Sequence, residues 1–292
     1  MFTTASISLK IVKIQELGNT NGGCAESSTY YSRERGIGGS NRTSICSRLQ
    51  SSMQGRYAIR ATCSHISQVI NFANNVDRAT KFVSELSGIP STHPNPQSPR
   101  FHAIRADVGV KSSVQDLVRE AHEKMGRIDI VISNAGWTRV TNFFNFDEGA
   151  LEEDWDRCFL YNVKTHLWLM EAARPHLAET KGAFVSTASL AGVKPSGSSL
   201  PYAVTKAAQI HLAKSLAVIL GKEGIRCNSV APGLMETEWG LKFPAEVRER
   251  MKGSTKLGRL ATVEDAADQV RCLAMSQSTT GQNVVIDSGT GL

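Results

Sequence analysis

The sequence has no run of apolar residues near the ~18 that a membrane-spanning helix requires, so no membrane span is expected. Its six cysteines (Cys24, Cys46, Cys63, Cys158, Cys227, Cys272) include no CxxC pair and no cluster with histidine. That argues against a zinc site and for free thiols in a reducing compartment. Acidic residues are scarce at one end: residues 1–60 hold three glutamates against eight lysines and arginines, so nearly all of the +6 net charge lies there. The rest of the chain is close to neutral. No basic stripe interleaved with aromatics occurs, so no nucleic-acid partner is expected. The first 60 residues are rich in serine, but Glu16 and the lack of early arginines do not suit a transit peptide. A cytoplasmic location is expected, with a mitochondrial one the lesser alternative.

What is present is a regular pattern from about residue 100 onward. "RFHAIRADV", "RIDIVIS", "GAFVSTA", "IRCNSVA" and "QNVVID" read as strands. They are continuous apolar runs, which implies a sheet covered on both faces. Helical segments separate them. Val114, Leu117, Val118, Ala121 and Met125 recur at helical spacing, with Ser112 and Gln115 reading as a capping box and Gly126 as the stop. A helical region over residues 151–178 is expected to break near Asn162 and at Pro175. "PYAVTKAAQIHLAKSLAVILG" and "TVEDAADQVRCLAM" are two further helices. Alternating strands and helices predict a single α/β domain with a doubly wound parallel sheet. Ligands bind such sheets at the carboxyl ends of their strands. Upstream the order is poorer. Residues 44–54 and 68–86 read as helices, 56–63 as a strand and 88–100, with four prolines, as a loop. Residues 1–30 read as an irregular, serine-rich segment, and 31–292 as the domain.

The chemistry concentrates in "SLAGVKPSGSSLPYAVTK". Tyr202 and Lys206, four apart, share one helix face. An ammonium beside a phenol favours the phenolate, and a phenol so tuned exchanges protons with a carbonyl or alcohol oxygen. Ser189, just past a strand end, can bond the same oxygen. "SNAG" (Ser133–Gly136) closes another strand with residues small enough for close approach of a ligand. Asn162 sits mid-helix, where asparagine forms helix poorly. Pro232, Gly233, Met235 and Thr237 follow the fourth strand, and Asp107 follows the first. Trp137 and Trp239 are candidates either for a pocket wall or for the core. Ser196–Ser199 reads as a loop, and His166, His176 and His211 as packing or surface residues.

Taken together, these motifs resemble the short-chain dehydrogenase/reductase family, and in particular its members similar to 3-oxoacyl-[acyl-carrier-protein] reductase, over residues 100–292. The resemblance implies a Rossmann fold and a hydride transfer between a nicotinamide and a ketone or secondary alcohol. Tyr202 would be the general acid or base, Lys206 its partner and a ligand of the nicotinamide ribose, and Ser189 the group orienting the substrate oxygen. Asn162 would hold a relay water. Asn134, Ala135 and Gly136 would line the cofactor, Asp107 and Val108 would meet the adenine, and Pro232, Gly233, Met235 and Thr237 would hold the nicotinamide end. A homodimer or homotetramer is also implied.

The family's phosphate loop reads Thr-Gly-x-x-x-Gly-Ile-Gly. Here only Arg35, Gly36, Ile37 and Gly38 match, with Tyr31 and Ser32 at the places of its threonine and first glycine. A second glycine cluster, Gly18, Gly22 and Gly23, follows a better apolar run. The first is favoured. Arg35, together with the lack of an acid in "RATCS", points to NADP(H) over NAD(H). The degenerate loop also leaves an alternative: a catalytically silent member acting in nucleotide sensing or as a scaffold. The residues after Thr237 read as a helical lid and leave the carbonyl or alcohol substrate undefined.

Overall fold

The computed structural model describes residues 9–14, 66–88, 99–237 and 239–292. Among them seven strands form one sheet: β1 (Leu9–Ile14), β2 (Ile66–Phe72), β3 (Phe101–Arg105), β4 (Ile130–Ser133), β5 (Ala183–Thr187), β6 (Arg226–Pro232) and β7 (Asn283–Ile286). Their order is β3-β2-β1-β4-β5-β6-β7. Helices α1 (Val76–Ser87), α2 (Lys111–Met125), α3 (Phe146–Gly149), α4 (Glu152–Phe159), α5 (Thr165–Thr180), α6 (Leu200–Leu220), α7 (Ala245–Ser254) and α8 (Val263–Met275) join them.

Alternation along the strands sorts the core onto two faces. Ile11, Val69, Val131, Phe184 and Cys227 point to α2, α5 and α6. Ile130, Ile132, Ala183, Val185 and Val230 point to α8, and Ile70 and Phe101 pack against Leu86 of α1. This is the doubly wound α/β fold that the sequence pattern predicts, with helices on both faces.

Its departure from an all-parallel sheet is β1. That strand runs antiparallel to both neighbours, pairing Leu9 with Ser133 and Lys10 with Ile70. The apolar run inside the segment expected to be irregular therefore supplies a central strand, because Ile11 is fully buried between Val69 and Val131. Leu9 lies at the carboxyl end of β4, so Ile14 leaves the sheet at the opposite edge. Both glycine clusters, including Arg35, Gly36, Ile37 and Gly38, lie outside the described residues, as do the expected elements at 44–54 and 56–63.

Three local expectations are corrected. Residues 68–86 are not one helix. Gln68 and Asn71 are buried in β2, and α1 starts only after Asn75, whose side chain accepts from the Arg78 N–H. α2 begins at Lys111 after Val110, without a side-chain cap, so Ser112 and Gln115 make no capping box. Pro175 lies within α5 rather than ending it; it sits on the exposed face, where water can satisfy the carbonyl it leaves free. Ser196–Ser199 is a loop, as expected, but a tied-down one: Ser198 and Ser199 are buried, and the Ser198 carbonyl accepts from the Thr141 N–H at 2.8 Å. Gly126 does stop α2, at φ +74°.

α6 is, among the described residues, the one helix long and apolar enough to cross a membrane by length and composition. It packs on the sheet instead and buries Ile210, Ala213, Leu216 and Leu220 there.

Candidate active site

The carboxyl ends of β4, β5 and β6 meet α6 around a cavity of about 200 Å³. Its walls include Asn134, Gly136, Ser189, Tyr202, Lys206, Pro232, Gly233, Met235 and Thr237. Trp137 and Trp239 also line it, which settles their place at the pocket rather than wholly in the core. Asp107 and Val108 lie beyond β3, outside this lining. The Asp107 carboxylate accepts from the Gly109 N–H, and the Val108 carbonyl from the Thr165 hydroxyl. Ala135 is fully buried behind Gly136.

The chain after β4 is fixed by Asn162. The helix over residues 152–180 opens into a π-helical turn at Leu160–Lys164, and this lets the buried Asn162 side chain reach inward. Its Oδ1 accepts from the Trp137 N–H at 2.7 Å, while its Nδ2 donates to the Trp137 carbonyl at 3.0 Å and to Thr205 Oγ1 at 2.9 Å. One amide thus clamps the strand end to α6.

Ser199 caps α6 by accepting from the Tyr202 N–H, which sets the start of the helix and the height of the Tyr202 ring. Ser189 caps a short turn, Leu190–Gly192, that lies against α6. A Cβ on Gly192 would come within 2.5 Å of the Lys206 carbonyl carbon, so only glycine lets this turn approach so closely. Trp239 stacks on Tyr202 with ring centroids 6.3 Å apart, and Phe243 meets Trp239 edge-on.

Lys206 is almost wholly buried, and its Nζ donates to the Thr187 carbonyl at 2.9 Å and to Gln209 Oε1 at 2.8 Å. The Nζ lies 5.6 Å from the Tyr202 ring centroid. Burial lowers the lysine to about 7. Burial also pushes the Tyr202 phenol up to about 12, with the Ser189 hydroxyl pulling the other way. The sequence suggests a phenol lowered by its ammonium neighbour. In the fold desolvation outweighs that attraction, because Lys206 is aimed at Thr187 and Gln209.

His166 has a place that the sequence does not suggest. It is fully buried on α5, with Nδ1 2.6 Å from the Ser133 hydroxyl. Burial first, then the charge of Lys206, lowers its imidazole from 6.5 to about 3. Between those values the unfolded chain binds a proton that the folded chain refuses. The associated stability is present above pH 6.5 and is lost as the pH falls toward 3. His166→Gln is expected to flatten the decline of urea-denaturation free energy between about pH 6 and 4. A slope equal to that of the unmodified protein would mean that the imidazole is charged in the fold.

His176 stacks on His122 at 4.1 Å between α5 and α2, and His211 is exposed. Among the described cysteines Cys158 and Cys227 are buried, their thiols pushed up to about 12 by that burial, and Cys272 is an exposed free thiol. No cluster able to hold a metal occurs among the described residues.

The family model described as "Enoyl-(Acyl carrier protein) reductase" matches residues 90–291. The chain belongs to the short-chain dehydrogenase/reductase family. It is 32% identical to L-rhamnose 1-dehydrogenase (NAD(P)(+)) of a Sphingomonas species over 80% of this chain and 91% of that protein. It is 32% identical to 3-oxoacyl-[acyl-carrier-protein] reductase of Thermotoga maritima, over 61% and 72% of the two chains. A Burkholderia cenocepacia short-chain dehydrogenase solved in complex with NADP superposes with a TM-score of 0.67 at 26% identity, covering 77% of this chain and 87% of its own.

The nicotinamide end of a dinucleotide fits the residues of this pocket. Gly136 lines the cavity, and a Cβ there would crowd Asn162 Oδ1 at 3.2 Å and Lys206 Nζ at 3.4 Å, so glycine lets this turn pass close to the lysine amine. Gly233 also lines the cavity and packs closely on Asp287, where a Cβ would lie 3.0 Å from that of Asp287. The donors there, Lys206 Nζ and the Ser189 and Thr237 hydroxyls, suit a ribose and a carboxamide.

Proposed function

We propose that this chain is an NADP(H)-dependent oxidoreductase that interconverts a small-molecule ketone and its secondary alcohol, with Tyr202 as general acid and base. The observation that carries this reading is the convergence of Tyr202, Lys206 and Ser189 on one cavity that Gly136 also lines.

In reduction, Tyr202 Oη gives its proton to the carbonyl oxygen as negative charge develops there; in oxidation it takes the proton back. Burial holds it as a phenol, the form that donates. Ser189 Oγ donates a second hydrogen bond to the same oxygen and fixes its position. The Lys206 ammonium stabilises the phenolate that remains after donation. Trp137, Trp239 and Met235 form an apolar wall that keeps water from the reacting carbon. The cofactor, when bound, supplies or accepts the hydride. Asn134, Ala135 and Gly136 would line its path, Pro232, Gly233, Met235 and Thr237 its nicotinamide end, and Asp107 with Val108 its adenine. Arg35, before Gly36, Ile37 and Gly38, lies outside the described residues; its place in the sequence favours NADP(H), whose 2′-phosphate it would meet.

A second reading, a silent member that senses nucleotide or acts as a scaffold, draws on the degenerate glycine loop and on the reversed β1, in which Ile14 lies at the end of the sheet opposite the pocket. Titration of the full-length protein with NADPH and with NADH, followed by nicotinamide fluorescence, separates the two. Saturable binding, tighter for NADPH, is the expected result. A folded protein that binds neither overturns the first reading and leaves the second.

A further inference from the structure

Tyr202, Lys206 and Gln209 are spaced i, i+4 and i+7 on α6 and therefore share one face. Gln209 is a glutamine buried to 1% exposure. Its amide closes a triangle with two other groups. Oε1 accepts from Lys206 Nζ at 2.8 Å, Nε2 donates to the Thr187 carbonyl at 3.1 Å, and that carbonyl also accepts from Lys206 Nζ at 2.9 Å. The amide's orientation is dictated by charge, since the reverse would press an NH2 group against an ammonium.

We infer that Gln209 is a positioning residue for the Tyr202–Lys206 pair: its side-chain carbonyl holds the Lys206 amine against the end of β5 and keeps it an ammonium. The inference rests on the role of Lys206 proposed above. The physical reason is the surroundings. The titratable groups that face Lys206 are Tyr202 on α6 itself, Cys158 on α4 and His166 on α5, and none of these is a carboxylate. A buried ammonium without a counter-ion depends on neutral acceptors for its charge. Two acceptors occupy two of its N–H groups here. The amine also lies close to Gly136, where a Cβ would sit 3.4 Å away, so the third N–H remains for the pocket. Gln209 thereby fixes both where the amine points and whether it carries the charge that a Tyr202 phenolate needs.

The test reads Lys206 directly. The full-length protein is labelled with 15N-lysine, and the Lys206 resonance is assigned by its loss in Lys206→Met. Gln209→Met, of similar shape but without an acceptor, is expected to lower the Lys206 titration midpoint by about one to two pH units. Gln209→Glu is expected to raise it. With a turned-over ketone, the basic limb of the kcat/KM profile for reduction should move in the same two directions. A residue that merely filled space would move neither the midpoint nor the limb. Should Gln209→Met not fold by circular dichroism, Gln209→Asn, which withdraws the amide by one methylene, carries the same expectation. A folded variant that titrates with the unmodified protein overturns the inference. Shifted midpoints in a protein that turns over no carbonyl would instead retire the proposed activity and leave the Lys206–Gln209 link standing.

Discussion

Replacing Tyr202 by phenylalanine is expected to lower turnover about 10³-fold while changing stability by less than about 1 kcal/mol. The substitution removes one hydroxyl and keeps the ring. The ring's packing is extensive: Trp239 stacks on it, Lys206 Nζ lies 5.6 Å from its centroid, and the backbone at Gly197 passes close beneath it. None of these contacts needs the oxygen. The hydroxyl shares the cavity with Ser189, and burial keeps it protonated near neutral pH, so under the proposed mechanism it is the group with a proton to give to a substrate oxygen. Loss of an aligned general acid costs about 10² to 10⁴ in rate. Steady-state reduction kinetics, thermal melting and NADPH titration on the same preparation decide the matter. Activity within tenfold of the unmodified enzyme would remove Tyr202 from the role assigned to it.

Phe184→Ala is expected to cost about 3–5 kcal/mol of stability, a large part of the ~5–15 kcal/mol typical of a domain. Phe184 is 1% exposed on β5, between β4 and β6, in the cluster that joins Val131 and Cys227 to Leu169, Ala173 and Leu216. No neighbour can fill the space of a phenyl ring there, because the strands on both sides are held by their ladders. The same strand carries Thr187 to the Lys206 amine and leads directly to Ser189, so looser packing at Phe184 blurs the pocket as well. Urea denaturation measures the effect. A loss below about 1 kcal/mol would mean that the cluster collapses around the gap.

From β3 onward the fold is readable in the sequence, because strands such as β4 and β5 are buried on both faces and mostly apolar, and helices of clear periodicity separate them. β2 is not. Ser67, Gln68 and Asn71 interrupt its apolar pattern, although Gln68 and Asn71 are buried, and Asn71 Nδ2 donates to the Ala106 carbonyl. A buried amide that serves a neighbouring strand looks like a surface residue to any periodicity argument. The family motif locates Tyr202, Lys206, Ser189 and the turn at Gly136, and these do share a cavity. Asn162 is legible as a poor helix former, and the π-helical turn gives the reason. Gln209 is not named by any motif, yet its i+7 spacing from Tyr202 was available as a signal. His166 looks like any helical histidine, since nothing nearby in the chain announces Ser133, 33 residues away. The direction of β1 is hardest of all, because an apolar strand reads the same both ways and only its partners decide.

Six residues of β1 are the seam of the sheet. Among the described residues, β2 with β3, and β4 through β7, form two parallel ladders whose strands are joined through Leu9–Ile14. A single local opening of that strand would bare two long apolar edges at once, each a template for another chain. The tendency of this protein to aggregate should therefore follow the opening of β1, well before the cluster around Phe184 gives way.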